Sequence, residues 1–332
     1  MVSSGLSPLG TAQRELRQLA RRAGVGKALQ RYRTLQSTGI RALVRTAYFK
    51  RTLLPRILAA RPIASDRGLE VHMLLNHPRV LEGSWSLYSL AHFMKTPCRL
   101  VVHDDGSLDS DDAGKLRHLF PGVTIIDRKE ADAHVLGELA KRGLTRCSSL
   151  RKNFVLSLKL FDPYFYAASD YFVSLDSDIL TYRAPRQIAE HASRNELFFS
   201  EDNGYRSCLS EAEYERLAGM PLTVHCNSGL FGARKDAVDL DLIETWLELP
   251  SFWQIPYEKA THYTEQAIWS LLFARGGATS LDSGYGISSV DLDAPSTITG
   301  HYCGGGYWSS LFYWRALPYL AQQLSKAGAL PA

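Results

Sequence analysis

From about Leu69 the chain alternates short apolar runs with longer stretches of helical period. A chain of that texture buries its runs as strands of a largely parallel sheet flanked by helices, an α/β architecture. EVHMLLNHP reads as the first strand, SWSLYSLAHFMK as the helix after it, and CRLVVHDDGS as a second strand ending in acids and a glycine turn. SDDAGKLRHLF reads as the next helix and VTIIDR as the third strand. LRKNFVLSLKLFDPYF is expected to be helical, because Leu150, Phe154, Leu158 and Phe161 recur on one face. YFVSL follows as a strand and runs directly into Asp176 and Asp178.

With 332 residues, 45% hydrophobic and 22% charged, the chain has material for one large domain or two modest ones. No run approaches the roughly 18 consecutive apolar residues of a membrane span, and Met1 to Gly10 lacks the apolar stretch of a secretory signal. A soluble, cytoplasmic chain is expected. The cysteines, Cys98, Cys147, Cys208, Cys226 and Cys303, are odd in number and form no CxxC pair, which predicts reduced thiols rather than a disulfide framework or a zinc knuckle.

Charge is unevenly spread. Residues 1–61 hold 13 Lys or Arg against the single acid Glu15, and the remainder is net acidic. IRALVRTAYFKRTLLPRIL interleaves Leu43, Ala47, Leu54, Ile57 and Leu58 with Arg41, Arg45, Lys50, Arg51 and Arg56, and Pro55 breaks or kinks it. Residues 1–68 are therefore expected to form a basic amphipathic helical arm, separate from a domain over 69–332. An anionic membrane surface is the partner such an arm suits, each engaged basic residue adding about 1 kcal/mol. That places the protein in the cytoplasm or peripherally on the cytoplasmic face of a membrane. A solvated extension, a nucleic-acid-binding arm and an Arg-rich transit peptide are the competing readings; no nucleic acid is expected as a partner.

Four DxD strings occur: Asp109/Asp111, Asp176/Asp178, Asp239/Asp241 and Asp291/Asp293. The first and third stand at helix starts, where carboxylates cap free N–H groups and oppose the helix dipole. The fourth lies in a stretch without periodicity and reads as a solvated loop. Only Asp176 and Asp178 end an apolar strand, the edge of an open α/β sheet where ligands bind. Two hard oxygen ligands there suit Mg²⁺ or Mn²⁺ together with substrate phosphates.

These residues and those that follow in order resemble the nucleotide-sugar glycosyltransferases of the GT-A fold, most closely the retaining family that includes bacterial lipopolysaccharide galactosyltransferases and glycogenin. The matching pieces are Lys159, then Asp176 and Asp178, then Asn227 and Gly229 in CNSGLFGAR, then Glu265 and Gln266 in TEQA, then His301 and Gly304 in HYCG. The resemblance spans roughly Leu69 to Trp314 and implies a GT-A-like Rossmann-type sheet with the DxD at a strand end. It implies His301 as the third metal ligand, and an imidazole beside carboxylates favours Mn²⁺ over Mg²⁺. Lys159 stands where the family has Arg, and a point charge does not reproduce a bidentate fork. The family's late Lys, a diphosphate contact, is replaced by Gly305, Gly306, Tyr307 and Trp308, so that contact is either missing or supplied elsewhere, with Arg151 and Lys152 as the candidates.

Each piece has an ordinary reading beside its functional one. Asn227 and Gly229 contact the donor sugar or form a tight turn. Glu265 and Gln266 open a helix after Thr264, so capping explains them almost as well as chemistry does. Under retention Gln266 lies near the anomeric carbon; under inversion Glu265 is the general base. Sequence order favours retention. Asp104 and Asp105, at the end of the second strand, are candidates for the nucleobase and ribose or for a simple turn. Asn76 and His77 stand where the family has an acid. Tyr302, Tyr307, Trp308, Phe252 and Trp253 are candidates to stack on sugar faces, against a default of core packing.

The expected activity is metal-dependent transfer of a sugar from a nucleotide-sugar donor, UDP being the family's commonest nucleotide, to a glycan or glycolipid acceptor. A haloacid-dehalogenase-type phosphatase also places DxD after a strand, but has Thr or Val where this chain has Leu180. A catalytically silent sugar-nucleotide or glycan-binding module is the other rival, supported by the missing late Lys.

Overall fold

The computed structural model describes residues 38–222, 225–253, 262–287, 290–303 and 306–331. In chain order, α1 (Ile40–Thr52) leads through a 3-10 turn to β1 (Leu69–Leu75), α2 (Val80–Met94), β2 (Cys98–Asp104), α3 (Ser110–Leu119), β3 (Thr124–Ile126) and α4 (Arg128–Lys141). Next come α5 (Thr145–Asn153), α6 (Leu158–Tyr166), β4 (Tyr171–Leu175), β5 (Ile179–Thr181), α7 (Arg186–Ser193), β6 (Phe198–Glu201), α8 (Glu211–Ala218) and β7 (Cys226–Arg234). The last part holds α9 (Leu240–Trp246), α10 (His262–Gly276), β8 (Thr279–Ser280), β9 (Tyr285–Ile287), β10 (Thr299–His301), α11 (Tyr307–Leu311) and α12 (Leu317–Lys326).

Among the described residues one sheet has the order β3-β2-β1-β4-β7-β6-β8. β3, β2, β1 and β4 are parallel, whereas β7 runs antiparallel to both β4 and β6. The chain builds outward from β1 to β3 and then returns to the other side of β1 with β4. The carboxyl ends of β1 and β4 therefore form the topological switch point, where such sheets open a crevice. This order is the GT-A-like, Rossmann-type sheet that the resemblance implied. A small second sheet, β5-β10-β9, stands beside that crevice.

The strand YFVSL shows why a short unbroken apolar run was required. Tyr171, Val173 and Leu175 belong to the core layer shared with α2 and the C-terminal helices, while Phe172 enters the opposite layer with Phe231 and Trp269. Successive side chains alternate between faces, and here both faces are covered. Burying each such side chain contributes about 1.5–3 kcal/mol, so the strand end is firmly placed.

Three features differ from the sequence reading. LRKNFVLSLKLFDPYF is helical in two pieces: α5 stops at Asn153, Phe154 is extended (φ −123°, ψ 101°), and α6 restarts at Leu158. Ser157 holds the break by donating to the carbonyls of Leu150 and Phe154. Thr264 does not cap a helix; it lies inside α10, its hydroxyl donating to the Phe252 carbonyl. The end of the basic segment is not free-standing either, since Leu53, Leu54, Ile57 and Ala60 enter the core with β1 and α2, and Trp85 donates its indole N–H to the Leu54 carbonyl (2.8 Å). Residues 1–37 of the expected arm lie outside the described residues.

Candidate active site

β4 ends at Leu175, and the turn from there into β5 carries Asp176 and Asp178. Backbone bonds fix this turn from three sides: Asp176 N–H donates to the Gly229 carbonyl (2.8 Å), Ser86 donates to the Asp176 carbonyl (2.9 Å), and Tyr302 N–H donates to the Asp178 carbonyl (3.0 Å). Ser89 also accepts from the Thr181 N–H (3.0 Å). Ser86 and Ser89 of α2 are thus buried polar groups with partners in or beside the turn, as buried polar atoms must have.

His301 comes from 123 residues beyond Asp178 by way of β10, whose antiparallel pairing with β5 sets His301 opposite Ile179. Its Nε2 lies 3.1 Å from Asp178 Oδ1 and 3.9 Å from Asp176 Oδ2. One ligand atom from each of Asp176, Asp178 and His301 falls within 4.8 Å of the others. Burial opposes charge on the imidazole, but the Asp178 carboxylate outweighs it and holds the His301 pKa well above its ordinary value. Burial likewise opposes the Asp178 carboxylate, and the His301 charge overcomes it. Two carboxylates and a ring nitrogen so gathered are a donor set that fits a divalent ion of the Mn²⁺ or Mg²⁺ type. The ring is closely confined, for a Cβ on Gly229 would stand 2.4 Å from His301 Cε1.

Lys159 at the start of α6 reaches into this cluster. Its Nζ lies 2.8 Å from Asp176 Oδ1, donates to the Ser228 carbonyl (2.8 Å), and stands 3.9 Å from Glu265 Oε1. Burial disfavours its charge, yet Asp176 and Glu265 together raise its pKa. Glu265 is buried in α10 and accepts from the Ser228 hydroxyl (2.7 Å). Its burial, only partly offset by Lys159 and Ser228, pushes the carboxyl up to about 7. Beside it, Gln266 donates to the Arg206 carbonyl (2.9 Å) and receives a long bond from Ser228 N–H (3.4 Å).

Asn227 and Gly229 are not in a tight turn: both lie on β7, next to β4. Asn227 accepts from Gly229 N–H (2.9 Å) and donates to Asp202 Oδ2 (3.0 Å) at the end of β6. Lys159, Asp176, Asp178, Asn227, Gly229, Glu265, Gln266 and His301 therefore occupy one continuous network. Gly304 lies outside the described residues.

Asp104 and Asp105 stand apart from it, two strands away at the same sheet edge. Asp104 Oδ1 accepts from the N–H groups of Gly106, Ser107 and Leu108, and Asp105 Oδ1 accepts from Ser107. These carboxylates build their own turn. The other DSD string also meets a histidine, His77, 2.6 Å from Asp112. There, however, Asp109 and Asp112 form a reciprocal helix cap and Lys115 pairs with both Asp111 and Asp112. The helix-start reading accounts for that cluster.

Arg151 is not available to a diphosphate, being fully buried and paired with Asp162 (2.8 Å) and Asp132. Tyr302 and Phe252 are core; Tyr302 shares a hydrogen bond with Tyr182 (2.6 Å). Sequence reasoning passed over Asp202, Ser228 and Arg79. The first two have no signal until β6 and β7 are paired. Arg79 sits just beyond β1 at the switch point, half-buried, with no carboxylate partner among the described residues. Its charge acts on Asp178 ahead of that of Lys159.

No protein-family model matches the sequence, and no curated protein matches it. Similar solved structures include the galactosyltransferase LgtC in complex with donor and acceptor sugar analogues, 18% identical with a TM-score of 0.46 over 80% of this chain and 97% of that one. Mouse xyloside xylosyltransferase 1 in its apo form is 12% identical with a TM-score of 0.45, over 74% of this chain and 93% of that one. The apo-form glycosyltransferase GlyE of Streptococcus pneumoniae is 15% identical with a TM-score of 0.43, over 80% of this chain and 65% of that one. By its own strand order, with an antiparallel β7 following a parallel half and the DxD at the end of β4, this chain has a GT-A-like fold.

Proposed function

We propose that this protein is a metal-dependent glycosyltransferase that moves a sugar from a nucleotide-sugar donor, a UDP-sugar, to a glycan or glycolipid acceptor with retention of anomeric configuration. The observation that carries the reading is the convergence of Asp176, Asp178 and His301 at the switch point, against the buried Lys159 and Glu265. Asp176, Asp178 and His301 would hold Mn²⁺ or Mg²⁺, which when bound neutralises charge on a departing nucleoside diphosphate.

The protein's own groups prepare that site. Lys159 spends its ammonium on Asp176 and the Ser228 carbonyl, so it orients a ligand carboxylate rather than forking onto a phosphate. Arg79 takes the diphosphate contact that the absent late Lys would make; it stands at the crevice with no carboxylate partner among the described residues, and a guanidinium suits phosphate oxygens. Asn227, fixed by Asp202, and Gln266, fixed by Arg206, hold polar amides at defined positions beside the carboxylates. Glu265 turns its oxygens inward to Ser228 and Lys159 and is only 2% exposed. A general base must reach an acceptor hydroxyl, so this inward pose favours the retaining over the inverting course.

The test is release of UDP from a panel of UDP-sugars in Mn²⁺, abolished by chelation. Release of inorganic phosphate from a phosphomonoester would instead support a phosphatase, and saturable donor binding without turnover a silent module. Arg79→Ala is expected to weaken donor binding at least about tenfold without weakening metal binding, since it removes a cation that acts on Asp178.

A further inference from the structure

Seven large hydrophobic side chains among the described residues are strongly exposed, and five of them gather on adjoining elements: Ile40, Val44 and Tyr48 on α1, Tyr307 and Trp308 on α11. Such residues scattered singly need no explanation, whereas a contiguous group does. Ile40, Val44 and Tyr48 recur every fourth residue and are 66, 62 and 61% exposed, so they form one stripe turned away from the core. α1 is joined to α11 through a chain of ring contacts: Arg45 lies over the Trp314 ring (5.5 Å), and Trp314 meets Tyr307 (5.9 Å) and Tyr307 meets Trp308 (5.6 Å) edge to face.

The described segments that build this face carry charge of a single sign. The two segments that build it, residues 38–61 and 306–331, contain eight Lys or Arg and not one Asp or Glu. They are packed to each other, Arg61 N–H donating to the Ala329 carbonyl and Arg56 to the Pro331 carbonyl. An exposed aliphatic and aromatic stripe bordered by Arg41, Arg45 and Arg51 is the composition of a helix that lies in a lipid headgroup region. Tyr and Trp are the side chains that settle at that boundary. A protein partner would need matching acids and matching shape, while an anionic bilayer needs only the charge and the apolar stripe that are present.

We infer that the α1–α11 face docks this protein on an anionic phospholipid bilayer. α11 begins six residues after β10 delivers His301, so docking there brings the candidate active site close to the lipid. Resting on the glycosyltransferase reading, the acceptor class follows: a saccharide carried on a lipid, presented at the headgroup plane.

The experiment is flotation of the full chain with vesicles of phosphatidylcholine alone or mixed with phosphatidylglycerol, at low and high salt. The native chain is expected to float with the phosphatidylglycerol vesicles only, and to be released as salt rises. The double variant Val44→Asp/Tyr48→Asp should lower the partition coefficient at least about tenfold, while Met220→Asp, on another exposed hydrophobic residue, leaves it unchanged. Thermal melting of each variant checks folding. Equal flotation of native chain and double variant, no flotation of the native chain, or loss of a solution oligomer in the double variant would each overturn the inference. Metal-dependent UDP release, read separately without vesicles, keeps the outcomes distinct: flotation without release sinks the transferase reading alone, and release without flotation sinks the docking surface alone.

Discussion

Gly229 and His301 are in such close approach that a methyl group on residue 229 would lie 2.4 Å from the imidazole Cε1 and 2.8 Å from Nδ1. The glycine on β7 thus makes the space into which β10 delivers its histidine. Gly229→Ala is expected to push the ring off the Asp176–Asp178 pair and to lower Mn²⁺ affinity by tenfold or more, at on the order of 1–3 kcal/mol of overpacking. Calorimetric titration of Mn²⁺ into the folded variant measures it. Unchanged affinity would leave Gly229 as the plain backbone contact that the sequence suggested.

The twin DSD strings give a paired test. Asp178→Ala removes a carboxylate 3.1 Å from His301 and should abolish metal-dependent donor binding and turnover. Asp111→Ala removes only an exposed partner of Lys115 in a helix first turn and should change stability by about 0.5 kcal/mol or less. Both are read by Mn²⁺-dependent thermal stabilisation with a UDP-sugar, since a ligand that binds only the folded state raises the melting temperature. Equal stabilisation of the two variants would reverse the assignment.

Much of this site could be read before the fold was known, and the limit has a physical form. β4 was legible because a strand covered on both faces must be apolar throughout, which left Asp176 and Asp178 conspicuous at its end. Lys159, Gln266 and His301 were legible only as members of an ordered motif, not from their own surroundings. Asp202 and Ser228 gave no signal, because each acquires its role from pairings across the sheet rather than from neighbours in sequence, and Arg79 gave none because its place at the switch point exists only once β1 lies beside β4. The Phe154 break was hidden for the opposite reason: the 3.6-residue apolar period continues through it, and only the Ser157 hydroxyl and the extended Phe154 backbone separate the two helices.

Glu70 is a structural counterpart to the site. Near the amino end of β1 it accepts from Ala168 N–H, Ser169 N–H and the Ser169 hydroxyl, the turn that feeds β4, and it contacts His72 at 3.1 Å. Burial raises its pKa, but the His72 bond and these backbone donors outweigh burial and bring it down to about 2. A depressed carboxyl contributes stability that is fully present above its unfolded value near 4.5 and is lost as pH falls toward 2. Glu70→Gln should cost about 1.5–3 kcal/mol at pH 7 and progressively less below pH 4. Urea denaturation across that range tests it; a cost independent of pH would show that the charge is immaterial.

Glu265 shifts in the other direction, and its sign follows from the same linkage. Held at about 7 by burial, with Lys159 and Ser228 opposing and Asp176 reinforcing, it keeps in the folded state a proton that the unfolded chain releases near 4.5. The native state therefore binds the extra proton between those values, and its stability falls as pH rises from about 4.5 to 7, then levels. Glu265→Gln abolishes that term. In metal-free protein the variant should gain on the native chain across this window, by a limit on the order of 3 kcal/mol at pH 8 relative to pH 4. Urea midpoints at the two pH values provide the measurement, and parallel profiles would mean that Glu265 is ionised throughout, stabilised by Lys159 more strongly than the 3.9 Å separation suggests.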